Sequence, residues 1–486
     1  MLELDGASLA PPTVAELAAG VSVRCTPAAR RRNAAARRVV EDHVARGAPF
    51  YGVTTGVGVL RDRAVADSAE HQRALLRSHA AGTGAPMAPR LVRAAMAVRL
   101  NQLVAGGAGV SDALLDALRA ALDAGVVPVA HERGSLGTGD LVSLAEIALA
   151  LLGEGEAFDA GERRPAADAL ARAGLRPPEL GPRDGAAFIS SNAPTIARAA
   201  LVAHDAHRLH DAALEVAALS FEAFGADRVV LDARVHAARP LPGQVAVAAR
   251  MRELHAGAVG EPRREVHDPF GFRCQPQVDG VTLDALAALE RVLAVELNAA
   301  AENPVVVPDD GVALASGNFH TGALALALDA LRAALAQAAW LVADRVSALL
   351  DERLSGLRAG LAAGPGASSG ALILEYTAHG AAGEISALAA PAVTYHASIA
   401  AGIESHASFA PTAARLGQLT LDHYADAIAA ELVVALRALR LAGRAPTGAG
   451  TRALYARAVA ALPGELGDRP LAIDLRLARA VVFEEP

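Results

Sequence analysis

The sequence predicts a mostly helical (all-α) protein built around a few very long helices, and three features of the chain predict it. Just over half of the residues are hydrophobic, but alanine and leucine supply much of that share and aromatic residues are scarce. Such a composition favours helix, and the β-branched runs that would argue for sheet are few. Apolar residues also recur at three- and four-residue spacing for many turns over 282–301 and 321–354. Finally, Gly/Pro-rich segments punctuate the helical stretches and carry most of the polar clusters.

Taken in order, the chain opens on a short start and a basic helix over 28–46, followed by the Gly-rich loop Tyr51-Gly52-Val53-Thr54-Thr55-Gly56-Val57-Gly58. Arg30, Arg31, Arg32, Arg37 and Arg38 are expected to form a solvated helix face rather than a phosphate patch. Helices then alternate with loops to about residue 205. One of these loops, Gly134-Ser135-Leu136-Gly137-Thr138-Gly139-Asp140-Leu141, leads into an apolar helix from Val142. Beyond 206 the helices lengthen. A helix over 321–354 would run about 50 Å, and its broad apolar face suits a bundle core shared between subunits. Pro365 and Gly366 break the next stretch, and helix resumes over 370–388 and 411–441. Three regions are expected: 1–205, a central bundle over 206–445, and an appendage over 446–486.

Composition excludes several functions. The net charge of -8 is modest and both signs are interspersed, so neither a nucleic-acid surface nor an acidic tail is expected. The chain has no lysine, and all 45 basic residues are arginine. A pyridoxal-phosphate enzyme needs a lysine for its Schiff base and a P-loop needs one for phosphate, so both chemistries are excluded. Cys25 and Cys274 lie far apart and suggest no disulfide framework. The acidic start Met1-Leu2-Glu3-Leu4-Asp5 does not read as a signal peptide, and apolar runs such as 147–152 are too short to span a bilayer. A cytoplasmic protein with no metal and no membrane or nucleic-acid partner is expected.

Four polar loops interrupt the Ala/Leu-rich sequence, at 51–58, 134–141, 267–277 and 402–406. A fifth polar cluster, Ser316-Gly317-Asn318-Phe319-His320, precedes the longest helix. Polar clusters at helix ends are candidates for a site at the end of a bundle, where helix N-termini favour anions. Together the loops resemble, collinearly and over nearly the whole chain, the aromatic amino-acid ammonia-lyases of the histidine, phenylalanine and tyrosine type, and their aminomutases. Tyr51 to Gly58 is similar to that family's Tyr-Gly-Val-Asn-Thr-Gly-Phe-Gly loop. Ser78-His79-Ala80-Ala81-Gly82 resembles a segment of histidine-type members. Phe221-Glu222, Arg239 to Gln244, Asp268 to Gln277, Glu302-Asn303-Pro304, Ser316 to His320 and Glu404-Ser405-His406 resemble further family segments. The resemblance implies a long-helix bundle of the ammonia-lyase/fumarase-like type with Gly-rich active-site loops. It also implies a homotetramer acting on a small amino-acid-like substrate.

Members of that family cyclise an Ala-Ser-Gly tripeptide into an electrophilic ring, 4-methylideneimidazole-5-one (MIO). The ring requires a small first residue, a β-hydroxyl to eliminate, and a glycine whose nitrogen can reach a carbonyl. This chain offers Gly137-Thr138-Gly139, with one residue fewer between Gly134-Ser135 and Gly139-Asp140. Dehydrating Thr138 would leave a methyl group on the carbon that must accept the nucleophile, and the shorter loop alters the geometry of closure. An uncyclised backbone is expected.

The resemblance assigns roles residue by residue. Tyr51 matches the base at the β-carbon, Glu404 the site glutamate, and Thr138 the centre of the catalytic tripeptide. Arg273 matches the arginine that holds the substrate carboxylate, and His79 matches the reader of a histidine side chain. Phe319 lies where the family has an aromatic residue, and Gln277 belongs to the same binding set. Phe270 replaces a tyrosine and Ser190 an asparagine, with Asn192 near enough to take that place if the loop shifts. Thr54 and Ile403 replace an asparagine and a glutamine. Losses fall on groups that form or assist the MIO; Tyr51, Arg273 and Glu404 are kept. The expected activity is therefore elimination or conjugate addition at the β-carbon of a carboxylate substrate without a conventional MIO. The alternatives are an MIO enzyme using Gly137-Thr138-Gly139 and a catalytically silent scaffold.

Overall fold

The structure is a computed structural model that describes residues 1–65, 68–260 and 267–483. The chain forms two compact units, each assembled from three stretches. The first comprises Met1–His204, Leu289–Leu328 and Pro391–Arg415; the second comprises Asp205–Ala288, Asp329–Ala390 and Leu416–Pro486. The chain passes between units five times, four of them within long helices, Ala193–Phe224, Gln275–Glu296, Gly322–Leu350 and Ala410–Leu441, and once at Ala390–Pro391.

Their apolar spacing explains them. In Gly322–Leu350 the buried residues Leu324, Leu328, Leu331, Leu335, Val342, Val346 and Leu349 step at three, four or seven, so one stripe of the helix is core. Length and composition alone would let this helix cross a bilayer, but 67% of its apolar window is buried inside the structure. It is a core helix of the described chain.

Helix ends depart from the sequence reading where tertiary contacts override local text. The helix expected over 321–354 stops at Leu350, because the Asp351 side chain accepts a hydrogen bond from Arg353 N at 2.8 Å and caps a separate turn, Glu352–Ser355. The helix expected over 282–301 ends at Glu296, and Asn298 instead bonds Leu9 through both its amide oxygen (2.8 Å) and nitrogen (2.9 Å). The basic helix spans Pro27–Ala45, with Thr26 as its N-cap. Arg31, Arg32 and Arg38 lie exposed, while Arg30 pairs with Asp112 and Asp116, and Arg37 with Glu41 and Asp184.

Short strands, absent from the sequence reading, form among the loops of the first unit. Val305–Val307 and Val312–Leu314 make a hairpin, and Thr83–Pro86 pairs antiparallel with His131–Arg133, beside the tripeptide loop. The hairpin supplies Val306 to a cluster of Ala36, Val39, Val40, Phe50 and Val53, which anchors the loop carrying Tyr51.

Candidate active site

Phe50 fixes the start of the Tyr51 loop, and hydrogen bonds fix the rest. Thr54 Oγ1 accepts from Phe50 N and donates to the Ala48 carbonyl, both at 2.8 Å, so this threonine staples the loop. Gly52 adopts φ +70°, in the left-handed region that favours glycine, and its carbonyl accepts from Gln72 Nε2 at 2.8 Å. The Tyr51 hydroxyl accepts a hydrogen bond from Gly58 N at 2.8 Å. A Cβ added at Gly58 would lie 3.9 Å from Glu404 Oε1, which places the Glu404 carboxylate beside the turn that meets the phenol.

Four helix N-termini, at Leu141, Ala193, Gly322 and Ala410, converge on the Gly137–Asp140 segment. Asp140 precedes the first of them and donates its N–H to the Ser191 carbonyl at 2.7 Å. Ser191 precedes the second, and Thr321 and Ser408 precede the third and fourth. Ser408 Oγ donates to the Gly137 carbonyl at 2.9 Å, with Thr321 Oγ1 3.0 Å from Ser408 Oγ. Gly139 N donates to Asn192 Oδ1 at 3.1 Å, and Asn192 Nδ2 donates to the Phe319 carbonyl at 2.7 Å. Burial pushes the Asp140 carboxyl up to about 6, against the hydrogen bond it accepts from Thr195 N.

Ser190 and Asn192 separate in role. Ser190 Oγ accepts from Asn303 N at 2.9 Å and so ties the Glu302-Asn303-Pro304 segment, while Asn192 reaches the tripeptide. His79 ends the helix Ser68–His79, half-buried, with Nδ1 donating to the Leu75 carbonyl at 2.8 Å. Phe319 is half-buried and Thr138 partly exposed. Next to Phe319, His320 Nε2 lies 2.9 Å from His406 Nδ1, which bridges the loop of Phe319 to that of Glu404.

Behind this segment lies a buried ionic brace. Arg99 donates to Glu302 Oε1 at 3.0 Å, to the Phe188 carbonyl at 3.0 Å and to Gln102 Oε1 at 3.2 Å. Ser191 Oγ donates to the same Gln102 oxygen at 2.6 Å. Arg183, equally buried, donates to the Ala108 and Pro304 carbonyls at 2.6 Å. Burial pushes both guanidiniums down, Arg183 to about 10, and Glu302 holds them charged.

Arg273, Phe270 and Gln277 belong to the second unit. Arg273 lies half-buried at the end of the turn Phe270–Arg273, its guanidinium 5.2 Å from the centroid of the exposed Phe270 ring. Among the described residues it pairs with no carboxylate. The buried Gln277 Oε1 likewise has no hydrogen-bond partner among them.

Sequence reasoning missed Ser408, Thr321 and the His320–His406 bridge. The first two had a usable signal, since hydroxyl residues within two positions of the start of a long apolar helix, as Thr321 and Ser408 are, are candidate caps. The bridge joins residues 86 positions apart, and no local pattern marks it.

Comparison with known proteins decides the family: the aromatic amino acid lyase family matches residues 9–460. The chain belongs to it. It is 39% identical over 99% of its length to the histidine ammonia-lyase of Symbiobacterium thermophilum, covering 96% of that protein. A solved structure described as the ergothioneine-degrading enzyme ergothionase from Treponema denticola, in complex with desmethyl-ergothioneine sulfonic acid, superposes with TM-score 0.94. It is 30% identical, and the match covers 99% of this chain and 98% of that one. The phenylalanine aminomutase of Pantoea agglomerans superposes with TM-score 0.95 at 26% identity, over 99% of both chains. The chain is thus a lyase-family protein of the histidine ammonia-lyase type, with the family's mostly helical fold.

The aromatic amino acid lyases normally build their MIO from an Ala-Ser-Gly segment, where this chain has Gly137-Thr138-Gly139. The Gly137 carbonyl that ring closure would consume accepts from Ser408 Oγ, and the Gly139 N–H that would attack it is held by Asn192 Oδ1. A Cβ on Gly137, as alanine would supply, falls 2.0 Å from Ser408 Oγ and 3.1 Å from Ala410 N. Gly137 also adopts φ +86°, where an L side chain is strained.

Proposed function

We propose that this lyase forms or breaks a bond at the β-carbon of a histidine-like carboxylate substrate without an MIO ring. The observation that supports the reading is the tripeptide itself: Gly137-Thr138-Gly139 stands in a loop one residue shorter than the family's, and dehydrating Thr138 would leave a methyl group on the carbon that must accept the nucleophile. In this reading Arg273 takes the substrate carboxylate, through the two-bond fork that only a guanidinium offers. Tyr51 takes the β-proton, its oxygen held in place by the hydrogen bond from Gly58 N. The C–H electron pair becomes the new double bond, and the electrons of the α-carbon–nitrogen bond leave with the amine. Glu404 orients that amine, and His79 Nε2 accepts a hydrogen bond from the substrate ring.

With no electrophile to activate the amine, the leaving group must be good in itself. A quaternary ammonium keeps its charge beside any base, whereas a primary ammonium near Glu404 and Tyr51 can be deprotonated into a far poorer leaving group. Ergothioneine, named for the Treponema neighbour, is a histidine betaine of the required kind. Incubation with ergothioneine, with histidine betaine and with L-histidine, followed by absorbance of the conjugated acrylate product, separates the cases. The expected result is acrylate and trimethylamine from a betaine and no product from L-histidine. L-Histidine turnover matching that of the betaines would contradict the reading.

The working enzyme in this proposal is a homotetramer whose sites combine residues of several subunits. Trp340, Leu372, Ile373 and Tyr376 of the second unit expose large apolar surfaces in the single chain, as a face covered by another copy would. Light scattering is expected to give four chains per particle; a stable, active monomer would contradict it.

A further inference from the structure

The second unit holds a buried polar cluster that the proposed chemistry does not use. Arg345 and Glu431, 1% and 0% exposed, form a two-bond pair, Nε to Oε1 at 2.6 Å and Nη2 to Oε2 at 2.8 Å. Ser220 Oγ donates to Glu431 Oε1 at 2.7 Å. The third nitrogen of Arg345, Nη1, turns away from this pair. It donates to the Gly271 carbonyl at 3.2 Å and to Gln275 Oε1, and Gln275 Nε2 donates to Asp279. Gly271 and Gln275 flank Arg273 on either side. Gly271 packs closely on Arg345, since a Cβ there would lie 3.1 Å from Arg345 Cγ. The turn that presents Arg273 is therefore held by a single guanidinium, and the Arg273 guanidinium itself lies 5.2 Å from the centroid of the Phe270 ring.

We infer that Arg345, aligned by Glu431 and joined through Gln275 to Asp279, is a positioning residue that sets Arg273 and makes carboxylate affinity depend on the charge of Asp279. The inference rests on the reading of Arg273 as the carboxylate anchor. The groups facing Asp279 are Gln275 on its own helix, Arg345 on Gly322–Leu350, and Glu431 and Tyr424 on Ala410–Leu441. Burial, reinforced by Glu431 and opposed by Arg345, pushes the Asp279 carboxyl up to about 7. Below that pH Asp279 is neutral, Glu431 alone balances Arg345, and Nη1 is free to hold Gly271 and Gln275. Above it, a second buried carboxylate competes for the same guanidinium and draws it from the turn. The linkage sign follows: the folded chain holds a proton that an unfolded aspartate, at about 4, has released. Asp279 thus lowers stability as pH rises between those values.

The test uses imidazolepropionate, which has no amine to eliminate, and 4-ethylimidazole, which lacks the carboxylate. Calorimetric affinities for both are measured at pH 6 and pH 8.5 on the full-length wild type, Asp279→Asn, Gln275→Leu and Arg273→Leu. The wild type should prefer the carboxylate probe, with a preference that falls severalfold at the higher pH. Asp279→Asn should keep the preference at both values and melt higher than wild type at pH 8.5, whereas Gln275→Leu should weaken it at both. If Arg273→Leu abolishes the preference while Asp279→Asn and Gln275→Leu keep the wild-type profile, the inference is overturned and the anchor stands. If Arg273→Leu leaves the preference intact, or the wild type has none, the anchor reading itself fails and the inference falls with it. If Gln275→Leu does not fold, Asp279→Asn decides alone, because the amide preserves size and its bond to Gln275.

Discussion

Tyr51→Phe will retain the fold and lose turnover by about 10²–10⁴-fold, the usual cost of removing a general base. Phe50 is buried in its cluster, Thr54 bonds the backbone on both sides, and Gln72 holds the Gly52 carbonyl. None of these contacts involves the phenol oxygen. Its one hydrogen bond among the described residues, from Gly58 N, contributes about 1 kcal/mol, so the melting temperature should hardly move. The Glu404 carboxylate beside Gly58 also stays in place. The check is kcat and melting temperature of the variant next to the parent, on whichever betaine turns over. A kcat within about threefold of the parent, far short of that range, would remove Tyr51 from the chemistry.

The largest stability effect belongs to Glu302. Arg99 and Arg183 are each 1% exposed and Glu302 is fully buried, and this carboxylate is the common counter-charge of both guanidiniums. Glu302→Gln keeps the volume and deletes the charge, leaving two buried cations uncompensated at a cost of about 3–5 kcal/mol. The damage should also reach the site, because Arg99 holds the Phe188 carbonyl and, through Gln102, Ser191, both just before the Asn192 that meets Gly139. Calorimetry on Glu302→Gln should show a large drop in melting temperature. A loss below about 1 kcal/mol, the level of a surface pair, would mean that the brace is not what holds this segment.

The helices were legible in the sequence because their apolar stripes repeat for many turns, and the loops because glycine and proline cluster there. Helix ends were less legible. The sequence reads as loop over 267–277 and as helix only from 282, yet 275–280 forms the first turns of Gln275–Glu296. Proline is tolerated there because first-turn N–H groups have no helical partner. Gly280 is not a breaker either: its missing side chain lets the backbone of Gln244 approach, where a Cβ would lie 2.4 Å from Gln244 N. The site divided in the same way. Tyr51, Glu404 and the tripeptide stand in recognisable loops, so the family text exposed them. Ser408 stands 271 residues from the Gly137 carbonyl it bonds, and only the fold brings the two together. The choice between Ser190 and Asn192 likewise depended on which side chain the loop turns toward Gly139.

The central claim, a histidine-type lyase that works without an MIO ring, is tested most directly by the intact mass of the purified, catalytically active protein. Cyclisation and dehydration of Gly137-Thr138-Gly139 would each expel one water. The account predicts the full mass encoded by the 486 residues, with an unmodified peptide over 134–141 after digestion. A mass lower by two waters, localised to that peptide, would contradict it.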